Sequence, residues 1–202
     1  MAIQVARARA PIHGIRPEYP APLVLGMVLF IASEMVFFGC LFAAYYTLRS
    51  VTAPWPPKDA LAIFTPQALF QASAASIVLW GSSIPAHLAT LRMRRQDFAA
   101  MRRSLLLTIT MGIVFLGWKF TEWAASPFSV SAHAYGTVFF ALTGFHALHL
   151  LVGLILLTAV VARIGQGGYL NGDHSGPEAT IYYWHFVDAV WVAVFATIYL
   201  IR

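Results

Sequence analysis

The stretch GTVFFALTGFHALHLLVGLIL, residues 136–156, decides the fold of this chain. It lies within a longer run, 123–162, that contains no Lys, Arg, Asp or Glu. A helix needs about 20 consecutive apolar residues to cross a bilayer, so this run predicts a membrane-spanning helix. His146 and His149 are three residues apart near its middle, which places both imidazoles on one helix face and close to mid-membrane.

The composition identifies an integral membrane protein. Of the 202 residues 59% are hydrophobic and 10% are charged, with a mean hydropathy of +0.71, whereas soluble proteins average about 25% charged residues. The single cysteine, Cys40, lies in an apolar run, so it predicts a small core residue and excludes a disulfide framework or a cysteine-based metal site. The net charge of +5 comes from residues that flank apolar segments, which favours a role in membrane topology and not nucleic-acid binding.

The hydropathy pattern predicts an all-α fold, an integral membrane bundle of five transmembrane helices. The bundle forms a single domain, 23–202, after an N-terminal tail, 1–22, in which no cleavable signal peptide is evident. Pro85 predicts a kink near the inner end of the second span, because proline lacks an amide donor. The five predicted spans are 23–48, 66–91, 103–124, 134–162 and 180–201.

The distribution of Lys and Arg predicts that the N-terminus is cytoplasmic and the C-terminus lies outside. Nine of these residues fall on the side of the tail: Arg7, Arg9, Arg16, Arg92, Arg94, Arg95, Arg102, Arg103 and Arg163. Three fall on the other side: Arg49, Lys58 and Arg202. Aromatic residues near the two ends of the fifth segment suit interfacial belts: Tyr182, Tyr183, Trp184 and Tyr199.

Ionisable residues inside the other predicted spans are the candidate functional residues. Glu34 lies about 17 Å from the start of the first span at 1.5 Å per residue. An ionised carboxylate there costs about 2.5–3.5 kcal/mol on insertion scales, so we expect Glu34 to be protonated or paired. Lys119 and Glu122, three residues apart, predict an ion pair near the outer interface with Lys119 snorkelling towards water. His185 and Asp188 share one face of the fifth helix.

Estimated depths bring four polar residues to the inner half of the bundle, where they could meet: Glu34, His146, His149 and Asp188. A di-iron site is disfavoured, because that pattern needs Glu-x-x-His on each of two helices. Two histidines three apart on one helix cannot supply both axial ligands of one haem. A structural hydrogen-bonding network is favoured, and a proton relay stays open. The sequence shows no nucleophile with its base, no phosphate-binding loop and no nucleotide site.

Three blocks of sequence resemble the signature helices of subunit III of haem-copper respiratory oxidases. They are LGMVLFIASEMVFFGCLFAAYY at 25–46, GTVFFALTGFHALHLLVGLI at 136–155 and YYWHFVDAVWVAVFATIYL at 182–200. Their order, spacing and orientation agree with that family, and the resemblance extends from about Leu23 to the end. The chain is similar to the five-helix form, which begins at the third of the seven helices in other members, as in several bacterial cytochrome c oxidases and ubiquinol oxidases.

The resemblance implies a non-catalytic subunit of an oxidase that reduces oxygen to water and pumps protons. Such a subunit has no catalytic residue and binds no haem, copper or other metal of its own; haem and copper belong to the partner subunits. It packs against subunit I, shares the complex with subunit II, supports proton uptake and holds phospholipid. The family-matching positions form an intramembrane polar network: Glu34, Glu122, His146, His149, His185 and Asp188. Lys119 departs from the Gln or Glu expected there.

The resemblance to the five-helix form also implies a bacterial plasma membrane. The electron donor, cytochrome c or quinol, binds other subunits, so a ubiquinol oxidase subunit III is one alternative. A nitric oxide reductase accessory protein is a second. A small proton-coupled transporter using Glu34 and the histidines is a third, disfavoured because the sequence has no inverted repeat and no paired Gly/Pro interruptions.

Overall fold

The computed structural model of this chain describes residues 21–169 and 174–201. The predicted tail, 1–22, therefore lies almost wholly outside the described residues, as does Arg202. The described chain is built from helices and contains no strand. The helices are α1 Pro22–Val51, α2 Pro66–Gly81, α3 Ser83–Arg94, α4 Phe98–Ala125, α5 Ala134–Gly165 and α6 Ser175–Phe195, with a 3₁₀ turn Asp59–Phe64 before α2 and a π-helical turn Ala196–Leu200 after α6.

Within the described residues, five spans are long and apolar enough to cross a membrane, as predicted, with α2 and α3 together forming the second. The observed helices continue past the predicted ends. For example, α4 begins at Phe98, and Arg102 and Arg103 lie exposed in its first turns. Charged residues are tolerated there because the end of a spanning helix reaches the polar interface.

The second span is interrupted at Ser82, between α2 and α3. Pro85 has no amide hydrogen, and its ring clashes with the carbonyl of the residue four positions earlier, Gly81. The helix is therefore interrupted close to the position where Pro85 predicts a kink. The interruption matters for the polar sites, because the side chains of Ser82 and Ser83 both contact α6.

The centre of the bundle is α6, which packs against α1, α2, α3 and α5. Trp184 on α6 is 1% exposed and lies between two glycines on neighbouring helices. A Cβ atom on Gly112 would lie 2.7 Å from the indole ring, and one on Gly153 would lie 3.0 Å from it. The indole Nε1 donates to Ser82 Oγ at 3.0 Å. A side chain at Gly112 would force the ring or its neighbours to shift, and one at Gly153 would need a smaller adjustment, because the ring fills this space.

Two expectations about individual side chains are wrong. Cys40 is exposed and not a core residue, because it lies on α1, the least buried span. Only 11% of the most apolar window of α1 is buried, against 61% in the fifth span. Of the aromatic residues assigned to interfacial belts, only Tyr182 is exposed; three are buried, since α6 is surrounded by other helices: Tyr183, Trp184 and Tyr199.

Candidate functional site

The six polar residues predicted from the sequence occupy separate places in the bundle. Glu34 and His149 form one pair; Glu122 belongs to a cluster with Lys119; His185 and Asp188 belong to a cluster with Ser83. His146 has no hydrogen-bond partner within the described chain. The four residues that were expected to meet in the inner half of the bundle, Glu34, His146, His149 and Asp188, therefore do not form one hydrogen-bonded group.

Glu34 and His149 join α1 to α5 near the middle of the membrane. The Glu34 Oε2 and His149 Nε2 atoms are 2.9 Å apart, and the His149 Nδ1 atom is 2.7 Å from the Phe145 carbonyl oxygen. His149 lies midway along α5, 15 residues after its start at Ala134 and 16 before its end at Gly165. The expectation that Glu34 is protonated or paired is met by this pairing.

The two contacts of His149 fix how many protons the pair carries. A carbonyl oxygen only accepts, so His149 Nδ1 carries a hydrogen and donates it to Phe145. The Nε2 contact then needs one further proton, on either Nε2 or the Glu34 carboxyl group. Whichever atom holds that proton, the pair has a net charge of zero. A pair with no net charge is compatible with apolar surroundings. Here the rings of Phe37 and Phe38 lie against His149.

We predict that His149→Phe lowers the free energy of unfolding by about 1–3 kcal/mol, because it leaves the Glu34 carboxyl group without a partner. The matched variant Glu34→Gln should cost less than about 1 kcal/mol, since the amide nitrogen can donate to Nε2 of neutral His149. Denaturation of the full chain in one detergent, followed by circular dichroism, measures both. Equal losses of unfolding free energy in the two variants would contradict the prediction, because they would show that the glutamine amide cannot take over the hydrogen bond between Glu34 and His149.

A second cluster consists of Lys119, Glu122 and Tyr199, at the opposite end from the arginine-rich loop between α3 and α4. Lys119 Nζ donates to Glu122 Oε2 and, at 3.1 Å, to the Tyr199 hydroxyl, which in turn donates to Glu122 Oε1. The predicted ion pair is confirmed, but Lys119 does not snorkel. Its side chain is 0% exposed because α4, α5 and α6 enclose it.

Aromatic rings complete the surroundings of the Lys119 ammonium group. Its nitrogen lies 5.2 to 5.7 Å from the centres of four rings, which favours a cation there: Trp118, Phe139, Trp191 and Tyr199. Glu122 is 13% exposed and lines a cavity of about 310 Å³ that Gln71 and Trp118 also border. The cluster is thus a neutral, fully paired group that holds the end of α6 to α4.

The third cluster joins α3 to α6. The Ser83 hydroxyl donates to Asp188 Oδ2, and Ser83 Oγ lies 3.1 Å from His185 Nδ1. Asp188 is 8% exposed, and its Oδ1 atom has no partner within the described residues. Ser83 can face both residues because the interruption at Ser82 starts α3 beside α6.

His146 is separated from His149 although both lie on α5. It is 1% exposed, packs against Trp191 with 4.8 Å between ring centres, and also contacts Phe115. Three residues turn a helix through about 300°, so the two side chains point about 60° apart. That difference is enough for His149 to face α1 while His146 faces the packed centre.

These polar positions occur on helices that match one protein family over nearly the whole chain. The family described as Cytochrome c oxidase subunit III matches residues 16–201. This chain belongs to the cytochrome c oxidase subunit III family. Its relatives are named as parts of an oxidase, so the partners of this family member are other subunits of such a complex.

Individual relatives show how far the similarity extends. Cytochrome c oxidase subunit 3 of Thermostichus vulcanus is 34% identical over 185 residues, which cover 91% of this chain and 90% of that protein. The protein of the same name from Synechocystis is 36% identical over 185 residues, covering 91% and 77%. That of Latimeria chalumnae is 36% identical over 183 residues, covering 86% of this chain and 67% of that protein.

The described His, Cys, Asp and Glu side chains of this subunit III family member do not form a group that could hold a metal ion. Within residues 21–169 and 174–201, no three His, Cys, Asp or Glu side chains come together in a way that could hold an ion. His149 uses both ring nitrogens in hydrogen bonds, so it offers no free lone pair to a metal. The described geometry supports helix-to-helix cross-links.

Sequence reasoning missed two members of the clusters. Ser83 was overlooked because a lone serine in an apolar span usually bonds to its own helix, and only its position two residues before Pro85 distinguishes it. Tyr199 was assigned to an interfacial belt because a tyrosine near the end of a span is typical of one.

Proposed function

We propose that this chain is the non-catalytic subunit III of a proton-pumping terminal oxidase that reduces oxygen to water. It packs against subunit I, shares the complex with subunit II and supports proton uptake, while the haem and copper belong to the partner subunits. The proposal includes a bacterial plasma membrane and the N-terminus in the cytoplasm. The observation that carries it is the pairing of Glu34 with His149: two family-matching residues are used to join helices.

The same pattern recurs in the other clusters. Each cluster contains a polar contact between different segments of the bundle: Glu34 with His149, Lys119 with Tyr199, and Ser83 with Asp188. In a membrane, where helices gain little from leaving water, such polar contacts and close packing hold a bundle together. The result is a rigid scaffold whose polar groups are directed inwards.

The outward side of the scaffold is apolar and suits a membrane partner. Leu29, Met35 and Val36 on α1 are 65%, 62% and 68% exposed. Side chains of this kind can meet lipid tails or the apolar helices of a larger subunit equally well. They leave the faces of α1 available to subunit I and to phospholipid.

Co-purification tests the proposal. The full chain carrying an affinity tag is expressed in its native host, extracted in mild detergent and captured, with untagged cells treated in parallel. The expected product absorbs light as a haem protein and contains a large multi-helix haem-copper subunit, identified by mass spectrometry. The haem type and the companion subunits would then separate a cytochrome c oxidase from a quinol oxidase. A colourless, solitary chain would contradict the proposal.

A further inference from the structure

A cavity at the arginine-rich end leads into the Ser83 cluster. The cavity has a volume of about 200 Å³ and is bordered by titratable or charged side chains from both helices that enclose it. They are His87 and Arg94 on α3, and Glu178, Tyr182 and His185 on α6. Arg94 is the last residue of α3 and Glu178 lies in the first turn of α6, so the cavity lies at the ends of the two helices, next to the aqueous phase.

The hydrogen bonds of Ser83 define a direction for proton movement. Its hydroxyl has one hydrogen, which is donated to Asp188 Oδ2. The Ser83 oxygen therefore accepts from Nδ1–H of His185, 3.1 Å away. This leaves Nε2 as the ring nitrogen of His185 that can take up a proton, and His185 itself borders the cavity.

Asp188 is suited to receive that proton. Its side chain is 8% exposed, its Oδ1 atom has no partner in the described structure, and no described cation forms an ion pair with it. A buried carboxylate with one hydroxyl donor and no cation is costly to keep ionised inside a membrane. Binding a proton removes that charge.

We propose that Asp188 is a proton-exchange site, filled from the arginine-rich end of the bundle through His185 and Ser83. A proton from water binds His185 Nε2; Nδ1–H passes its proton to Ser83 Oγ as the Ser83 proton moves to Asp188 Oδ2. One proton has moved from water to the carboxylate, Ser83 is again a neutral hydroxyl, and His185 is left as the Nε2–H tautomer. The starting tautomer returns when Nδ1 binds a proton from water after rotation of the ring and Nε2 then releases its proton; the reverse transfer returns the proton from Asp188 to water.

Hydrogen–deuterium exchange of the Asp188 carboxyl group tests the path. The full chain in lipid nanodiscs is moved from H₂O to D₂O while infrared spectra are recorded, and the Asp188 band is assigned by its loss in Asp188→Asn. We expect Ser83→Ala and His185→Gln to slow its exchange by about 10²-fold, the lower end of what a positioned proton-transfer group contributes. Ser83→Thr, which keeps the hydroxyl, should restore the rate. His87 borders the same cavity but is not a member of the proposed proton path through His185 and Ser83. The control variant His87→Phe should therefore leave the exchange rate unchanged.

Two results would overturn the proposal. One is exchange in Ser83→Ala and His185→Gln at the original rate, with circular dichroism confirming folded protein. The other is a spectrum with no protonated carboxyl band assignable to Asp188 at any pH at which the chain stays folded. The path lies within this chain, so its test does not depend on assembly with subunit I, and a solitary chain in the co-purification experiment would leave this test intact.

Discussion

Glu122→Leu is expected to lower the free energy of unfolding by about 3–5 kcal/mol, the loss typical of breaking a buried ion pair from one side. Lys119 is 0% exposed, and Glu122 is its carboxylate partner. Without that partner the ammonium group keeps its hydrogen bond to the Tyr199 hydroxyl and its contacts with the four surrounding rings. Those contacts cannot replace a carboxylate, because the charge lies in a low-dielectric environment.

The double variant Lys119→Met/Glu122→Leu should recover most of this loss. It removes both charges and substitutes side chains of similar volume, a change that is often neutral or stabilising for buried pairs. Asp59→Asn is the matched control, because Asp59 pairs with His133 but is 44% exposed, and exposed pairs contribute about 0–1 kcal/mol. Unfolding by denaturant in a fixed detergent compares the variants. A double variant as unstable as Glu122→Leu alone would show that the pair itself is not the source of the effect.

Trp184→Ala is expected to destabilise the bundle by about 3 kcal/mol. Large-to-small changes of buried aromatics cost about 3–5 kcal/mol in soluble proteins, and the transfer part of that cost is reduced in a bilayer. What remains is the lost packing against Gly112 and Gly153 and the lost donor to Ser82, whose side chain is 0% exposed. Neither glycine can fill the space that the indole leaves.

Tyr182→Ala provides the comparison on the same helix. Tyr182 is also a large aromatic residue, but it is 43% exposed, and its hydroxyl donates to Glu178 one turn away on the same helix. Surface changes of this kind stay within about 0.5 kcal/mol. Thermal denaturation of both variants under identical conditions measures the difference. A similar melting shift in the two would indicate that burial between the glycines is not what makes Trp184 important.

Local sequence signals predicted the elements that are set by local physics. The apolar runs predicted five spans because a backbone inside lipid must satisfy its own hydrogen bonds, which a helix achieves within one segment. Pro85 predicted the interruption of the second span because the missing amide acts on its own turn. Lys119 and Glu122 were matched correctly because a spacing of three brings side chains together on one helix.

Errors arose where the surroundings of a side chain depend on the arrangement of the other helices. Cys40 was assigned to the core and Tyr199 to an interface, but their exposure depends on which helices surround α1 and α6. The depth estimate for Asp188 gave its distance along the membrane normal but not its direction around α6. Depth alone therefore could not separate its contact with Ser83 from a contact with Glu34.

The sequence by itself determined that this protein has five helices able to cross a membrane, where the second span is interrupted, which family it resembles and which polar residues lie in apolar segments. These features follow from hydropathy, proline chemistry and motif spacing, all of which act along the chain. Only the tertiary structure decided that Glu34 bonds to His149, that His146 stands apart and that Ser83 joins His185 to Asp188. The reason is that the rotation of each helix about its axis is set by packing against its neighbours, and that packing determines which polar groups meet.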